Sequence, residues 1–122
     1  MSLLPAIGQI ALRVTDADRA ERFYQDTLGL TKLYRFGQLV FFDCGGIRLM
    51  LEGGHPPAPS GFACCVYYRV DGIVDRFAEM KARGVAFDDV PHLIARMPDH
   101  ELWMVFFKDP DGNQFALMEE LR

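Results

Sequence analysis

Ala11-Leu12-Arg13-Val14-Thr15-Asp16-Ala17-Asp18, closing at Gly29-Leu30, decides the fold, because the chain writes this passage twice. Residues Ile7 to Val14 alternate and carry β-branched side chains, the pattern of a half-buried strand. Thr15 stands where a helix cap belongs, with Asp18 at capping-box spacing. Ala20, Phe23, Tyr24 and Leu28 then recur at helical spacing, and Gly29 supplies the left-handed stop. The second copy runs from Ala63 to Arg69-Val70, with Asp71 as cap, Ile73, Val74, Phe77 and Met80 on one helix face, and Gly84 as the stop.

Further strands are expected around these two units. They are Lys32 to Phe36, Leu39 to Cys44 and Ile47 to Leu51 in the first half, with Gly45-Gly46 as a tight hairpin turn. Val85 to Phe87, Leu93 to Met97, Leu102 to Lys108 and Gln114 to Glu119 follow in the second, with a turn at Asp109-Pro110-Asp111-Gly112-Asn113. Between the halves, Gly53 to Gly61 is rich in Gly and Pro and stops both helix and strand. The sequence thus predicts an α+β fold of two modules, about 7–53 and 62–120, with a joint at 53–61.

The chain has 122 residues, half of them hydrophobic, and a formal net charge of -4. That suits one small domain with a real core, and it speaks against nucleic acid, which needs concentrated Lys and Arg. The longest apolar run, Leu102 to Phe107, is too short to span a bilayer, and Met1-Ser2-Leu3-Leu4 lacks a basic leader. Three cysteines, two of them the neighbours Cys64 and Cys65, suit reduced thiols and a cytoplasmic protein. No glycine-rich phosphate loop is present, since Gly45-Gly46 and Gly53-Gly54 open no helix.

Parity sorts the strand residues onto faces. Ile10, Leu12 and Val14 oppose Gln9, Ala11 and Arg13. Ile47, Leu49 and Leu51 oppose Arg48, Met50 and Glu52, while Val66, Tyr68 and Val70 oppose Cys65, Tyr67 and Arg69. Phe115 and Leu117 oppose Gln114, Ala116 and Met118. The apolar set belongs under the helices.

Two βαβββ units in a chain of this length, with Ala11 to Asp16, Phe23-Tyr24 through Leu28-Gly29-Leu30, and Phe107 to Asn113, resemble the vicinal oxygen chelate superfamily. This group includes glyoxalase I, bleomycin-resistance proteins and extradiol dioxygenases. The resemblance implies a cupped mixed sheet with helices outside, a ligand or metal in the cup, and a homodimer. Fold alone does not choose among the lyases, dioxygenases and drug binders it hosts.

By that resemblance the metal positions are Gln9, Met50, Cys65 and Ala116. They are not competent as a set, because a hard divalent cation wants carboxylate and imidazole ligands. Glu52 and Glu120 share the parity of Met50 and Ala116, but lie two and four residues away, roughly 6.6 and 13 Å along a strand. No cofactor is therefore expected, and the leading expectation is metal-independent binding of a small organic anion. Gln9, Arg13, Arg48, Met50, Cys65, Tyr67, Arg69 and Trp103 are the candidate ligand-binding residues.

Arg13 matches the family's carboxylate-binding arginine, with Arg69 its repeat counterpart. The alternative is pairing with local acids such as Glu52, or plain exposure. His100 and Tyr67 are the candidate catalytic groups: His100 as an acid–base, against a surface role, and Tyr67 as a proton donor, against a cavity cap. Trp103 reads as a stacking wall or as core, and Cys65 as a nucleophile or a small hydrophobe. His55, in the joint, reads as solvated. The competing expectations are a metal-dependent lyase or dioxygenase using Glu52, His92 or His100, and a drug-sequestering resistance protein.

Overall fold

Strand β1 (Gln9–Arg13) pairs in parallel with β4 (Ile47–Glu52), and the rest of the first module follows from that pairing. Parallel neighbours cannot be joined by a tight turn. The crossover is supplied by α1 (Ala17–Arg22), β2 (Thr31–Phe36) and β3 (Leu39–Cys44), giving a sheet in the order β1-β4-β3-β2. The computed structural model describes residues 3–56 and 65–122.

The cap of α1 differs from the expected one. Asp16, not Thr15, occupies the N-cap, and its Oδ1 accepts from the Asp18 and Arg19 amides at 2.9 and 3.1 Å. The Thr15 hydroxyl instead accepts from Arg19 Nη2 at 2.9 Å. The helix also changes pitch, as Phe23–Thr27 form a π-helical turn before Gly29, whose φ of 76° ends it. Ala17, Ala20 and Tyr24 are buried along the inner side, over Val14, Val40, Phe42, Leu49 and Leu51.

The second module repeats the plan. β5 (Cys65–Arg69) pairs in parallel with β9 (Gln114–Leu121), and α2 (Ile73–Ala82) lies in the crossover. β8 (Glu101–Lys108) runs antiparallel to β9 and also pairs with the two-residue β6 (Ala86–Phe87) and with β7 (His92–Arg96). Asp71 does not cap α2. Gly72 holds the N-cap at a φ of 73° and has no side chain to offer, so Glu119 reaches across from β9 to do it. Phe77, Phe87, Phe107, Phe115 and Tyr68 form a continuous line of ring contacts, 4.6 to 5.7 Å between centroids, from α2 across to β5. Phe107 and Phe115, the fully buried rings of this line, each stabilise the module by roughly 1.5–3 kcal/mol.

The chain divides into two compact units, Met1–Ser60 and Gly61–Arg122. Residues 57–64, which include most of the expected joint, the start of the expected second-module strand and Cys64, lie outside the described residues. Among the described residues no helix is long and apolar enough to cross a membrane.

Candidate functional site

Register places three rows across the face of the first sheet that points away from α1. Gln9, Arg48 and Asp43 form one row, Ala11, Met50, Phe41 and Tyr34 the next, and Arg13, Glu52, Leu39 and Phe36 the third. Gln9, Arg13, Arg48 and Met50, the first-module candidates, therefore share one face. Tyr34 and Phe41, which sequence reasoning did not single out, join them.

Arg48 is the organising side chain. Its Nε donates to Gln9 Oε1 at 2.8 Å and its Nη1 to the Tyr34 hydroxyl at 3.0 Å. Its guanidinium carbon lies 5.6 Å from the centre of the Phe41 ring, within cation–π range. Among the described residues none of these partners is acidic. Asp43, the cross-strand neighbour, instead accepts from the Gly46 amide at 3.2 Å. Around this centre Tyr34 packs against Phe41 at 4.6 Å with its ring tilted by 32°, and meets Phe36 edge-on at 5.4 Å. Tyr34 is 39 % exposed and Phe36 68 %. The result is a fixed cation beside an exposed aromatic strip.

Cys65, Tyr67 and Arg69 occupy the matching face of the second sheet, in rows with Gln114 and Lys108, with Ala116 and Phe106, and with Met118, Met104 and His92. Tyr67 is half exposed and edge-on to Phe106 at 6.2 Å. Trp103 is not on this face. It pairs in register with Glu119 on the α2 side, where it lines a cleft of about 180 Å³ with Ile73, Val74, Glu119 and Leu121. Its indole N–H donates to Glu101 at 3.2 Å.

The histidines are each engaged. His100 Nδ1 lies 2.7 Å from Asp99 Oδ1, and Arg122 holds the other oxygen of that carboxylate at 2.6 Å. Those contacts, Arg122's first, keep the Asp99 carboxyl below its usual range. His100 thus has a partner, which the sequence did not reveal. His92 Nδ1 lies 2.9 Å from the Val90 carbonyl oxygen. His55, expected to be solvated, lies 3.3 Å from Glu52 Oε1.

A divalent ion of the kind the fold hosts finds a poor donor set here. Gln9 Oε1 already accepts from Arg48, and its amide nitrogen reaches Met50 Sδ at 3.8 Å. Ala116 is buried and offers no donor. The substitute carboxylates are taken as well, Glu52 by His55 and Glu120 by Arg122 at 3.0 Å. Among the described residues no three His, Cys, Asp or Glu side chains gather as a metal site. The residues present do not fit such an ion, whose oxygen and nitrogen ligands must converge within about 2 Å.

Comparison with known proteins agrees with this architecture. A solved glyoxalase/bleomycin resistance protein/dioxygenase from Nocardioides is 22 % identical, covering 100 % of this chain and 87 % of that one at a TM-score of 0.80. A glyoxalase family protein from Enterococcus faecalis is 19 % identical, covering 97 % and 100 % at 0.83. Lactoylglutathione lyase from Agrobacterium tumefaciens is 28 % identical, covering 97 % and 96 % at 0.71. No functionally curated protein matches the sequence. The sequence pattern of one family spans residues 6–117, nearly the whole of both modules. With that match, the doubled parallel pairings and the solved relatives in agreement, the chain belongs to the Glyoxalase/Bleomycin resistance protein/Dioxygenase superfamily.

Proposed function

We propose that this protein binds a small organic anion with an apolar body, without a metal ion, on the face of the first sheet that carries Arg48. One observation supports the reading above the others: the Arg48 guanidinium is held by Gln9, Tyr34 and Phe41, none of which cancels its charge. A guanidinium so placed can take a carboxylate through two parallel N–H···O bonds. Met50, Tyr34 and Phe36 supply apolar surface beside it. The reading includes a homodimer, as the superfamily resemblance implies, and a cytoplasmic location, which the three cysteines read as reduced thiols suit.

Titration calorimetry with a panel of small carboxylates, in the presence of EDTA, tests it. Arg48→Gln should weaken the best carboxylate by about 1.5–3 kcal/mol, the worth of a charged hydrogen bond. Unchanged affinity in that variant, or binding that vanishes with EDTA, would overturn the reading. Sedimentation velocity tests the dimer.

The second reading is a lyase, favoured by 28 % identity to lactoylglutathione lyase over nearly the full chain. Here the Asp99-oriented His100 would be the acid–base group. Turnover of lactoylglutathione that is lost in His100→Gln would favour it over simple binding.

A further inference from the structure

Gln9 and Tyr34 reach Arg48 from two different strands, β1 and β2, while Phe41 lies under the guanidinium from β3. An exposed arginine ordinarily samples many rotamers, and ordering it carries an entropic cost. Here that ordering is already achieved by neighbours in the fold. Both hydrogen-bond acceptors are neutral, so the side chain is fixed while its charge stays available. Other arginines are fixed differently: Arg35 by Asp18 and Glu21, and Arg122 by Asp99 and Glu120, each with its charge offset. A guanidinium has five N–H donors, and the two bonds leave three for a ligand.

The surface beside those donors is aromatic. Tyr34 packs at a tilt against Phe41, meets Phe36 edge-on, and stays 39 % exposed. A carboxylate on Arg48 therefore places its own body against Tyr34 and Phe36. A flat ring gains there from the offset or edge-on contacts that aromatic pairs prefer, about 0.5–1.5 kcal/mol beyond area, or roughly two- to tenfold in affinity.

We infer that Gln9 is a positioning residue which presents Arg48 as a fixed, uncancelled cation, and that the ligand taken there is an aromatic carboxylate lying along Tyr34 and Phe36. This rests on the anion-binding reading above. It gives the glutamine a purpose that its neutrality makes possible, since an acid at position 9 would hold Arg48 equally well and cancel it.

The test is calorimetry on the full chain in EDTA with benzoate and cyclohexanecarboxylate as probes. Wild type should bind benzoate several-fold more tightly than cyclohexanecarboxylate. Gln9→Glu is nearly isosteric and keeps an acceptor for Nε, yet should lower benzoate affinity about tenfold or more by neutralising the guanidinium. Its melting temperature should be unchanged or higher, which a merely structural role for Gln9 does not combine with lost binding. Tyr34→Phe keeps the ring, removes only the hydroxyl acceptor, and should lower affinity for both acids about fivefold. It decides the matter if the Gln9 variant fails to fold. Wild-type benzoate affinity in Gln9→Glu, or in Tyr34→Phe where the former is unfolded, overturns the positioning role while Arg48→Gln still loses binding. Wild-type affinity in Arg48→Gln overturns the anion site itself. Equal affinity for the two acids in wild type overturns the aromatic assignment alone.

Discussion

The Glu119 carboxylate closes the N-terminus of α2, accepting from the Gly72 amide at 2.6 Å and the Ile73 amide at 2.9 Å. In the first module the corresponding task falls to Asp16, immediately before its helix. The two modules share a topology but cap their helices from different directions. Glu119 ties α2 to the last strand of its sheet, so tertiary structure and helix end depend on one side chain.

Glu119→Ala should therefore destabilise the protein by about 2–3 kcal/mol, the combined worth of an N-cap and buried charged hydrogen bonds. Glu119→Gln keeps one acceptor and should cost about 1 kcal/mol. Denaturant unfolding of the two variants measures this. A loss under about 0.5 kcal/mol in the alanine variant, the range of a neutral surface change, would contradict the capping role.

Gly53 lies where a side chain has no room. A Cβ there would stand 2.8 Å from Ala17 Cβ and 3.1 Å from Ala17 N, inside α1. Its own amide donates to the Gln38 carbonyl at 2.8 Å, which prevents an easy retreat. Gly53→Ala should cost about 1–3 kcal/mol through overpacking. The paired variant Gly54→Ala tests a different mechanism, because nothing crowds that site and only its φ of 81° opposes a side chain. Equal stability of wild type and Gly53→Ala in thermal melts would refute the close approach.

Asp16 contributes a pH-dependent element. The Arg19 amide foremost, then the Asp18 amide and the charges of Arg19 and Arg22, hold its carboxyl below the ordinary value of 3.8. With the folded value depressed, the stabilisation is complete above the unfolded value and is lost as pH falls through the folded one. Asparagine caps comparably but does not titrate. The melting-temperature advantage of wild type over Asp16→Asn should therefore shrink as pH drops below 3.8. A gap that is constant from neutral pH down to 2 would argue against it.

Asp99 should titrate abnormally for a second reason. Arg122 first and His100 next stabilise its charged form. Arg122→Ala should move the Asp99 titration midpoint upward, toward the ordinary carboxylate range, as read by carboxyl carbon NMR. The sign is the same as for Asp16: stability from this carboxylate is present at neutral pH and lost in acid as the folded value is passed. An unmoved midpoint in Arg122→Ala would remove Arg122 as the cause.

The strand faces were largely legible. Leu49 and Leu51 are buried while Arg48 is exposed, and Val14 is buried while Gln9, Ala11 and Arg13 are exposed, as alternation requires. Alternation failed at β2, where a bulge between Lys32 and Tyr34 shifts the register. Lys32 consequently pairs across from Phe42 on the helix side and lies 3.6 Å from Glu21. One inserted residue reverses every face beyond it, and no local pattern announces it. The caps were misassigned for a related reason. Thr15 and Asp71 are acceptable capping residues, but the backbone geometry selected Asp16, and a distant strand supplied Glu119.

Sequence alone determined the two modules, the turns at Gly29, Gly45-Gly46 and Gly112, and the superfamily, because periodicity and glycine conformation are local properties that repeat along the chain. Side-chain chemistry alone also shows that the positions picked out by the resemblance, Gln9, Met50, Cys65 and Ala116, carry an amide, a thioether, a thiol and a methyl group. Only the tertiary structure decided what Gln9 and Arg48 do. Gln9, Tyr34 and Arg48 come from three strands whose register is set by long-range pairing, and hydrogen bonds of 2.8 and 3.0 Å exist only once that register is formed. The same holds for Trp103, whose register partner Glu119 lies on β9, and for Asp99, the partner of His100, which Arg122 holds from just beyond β9.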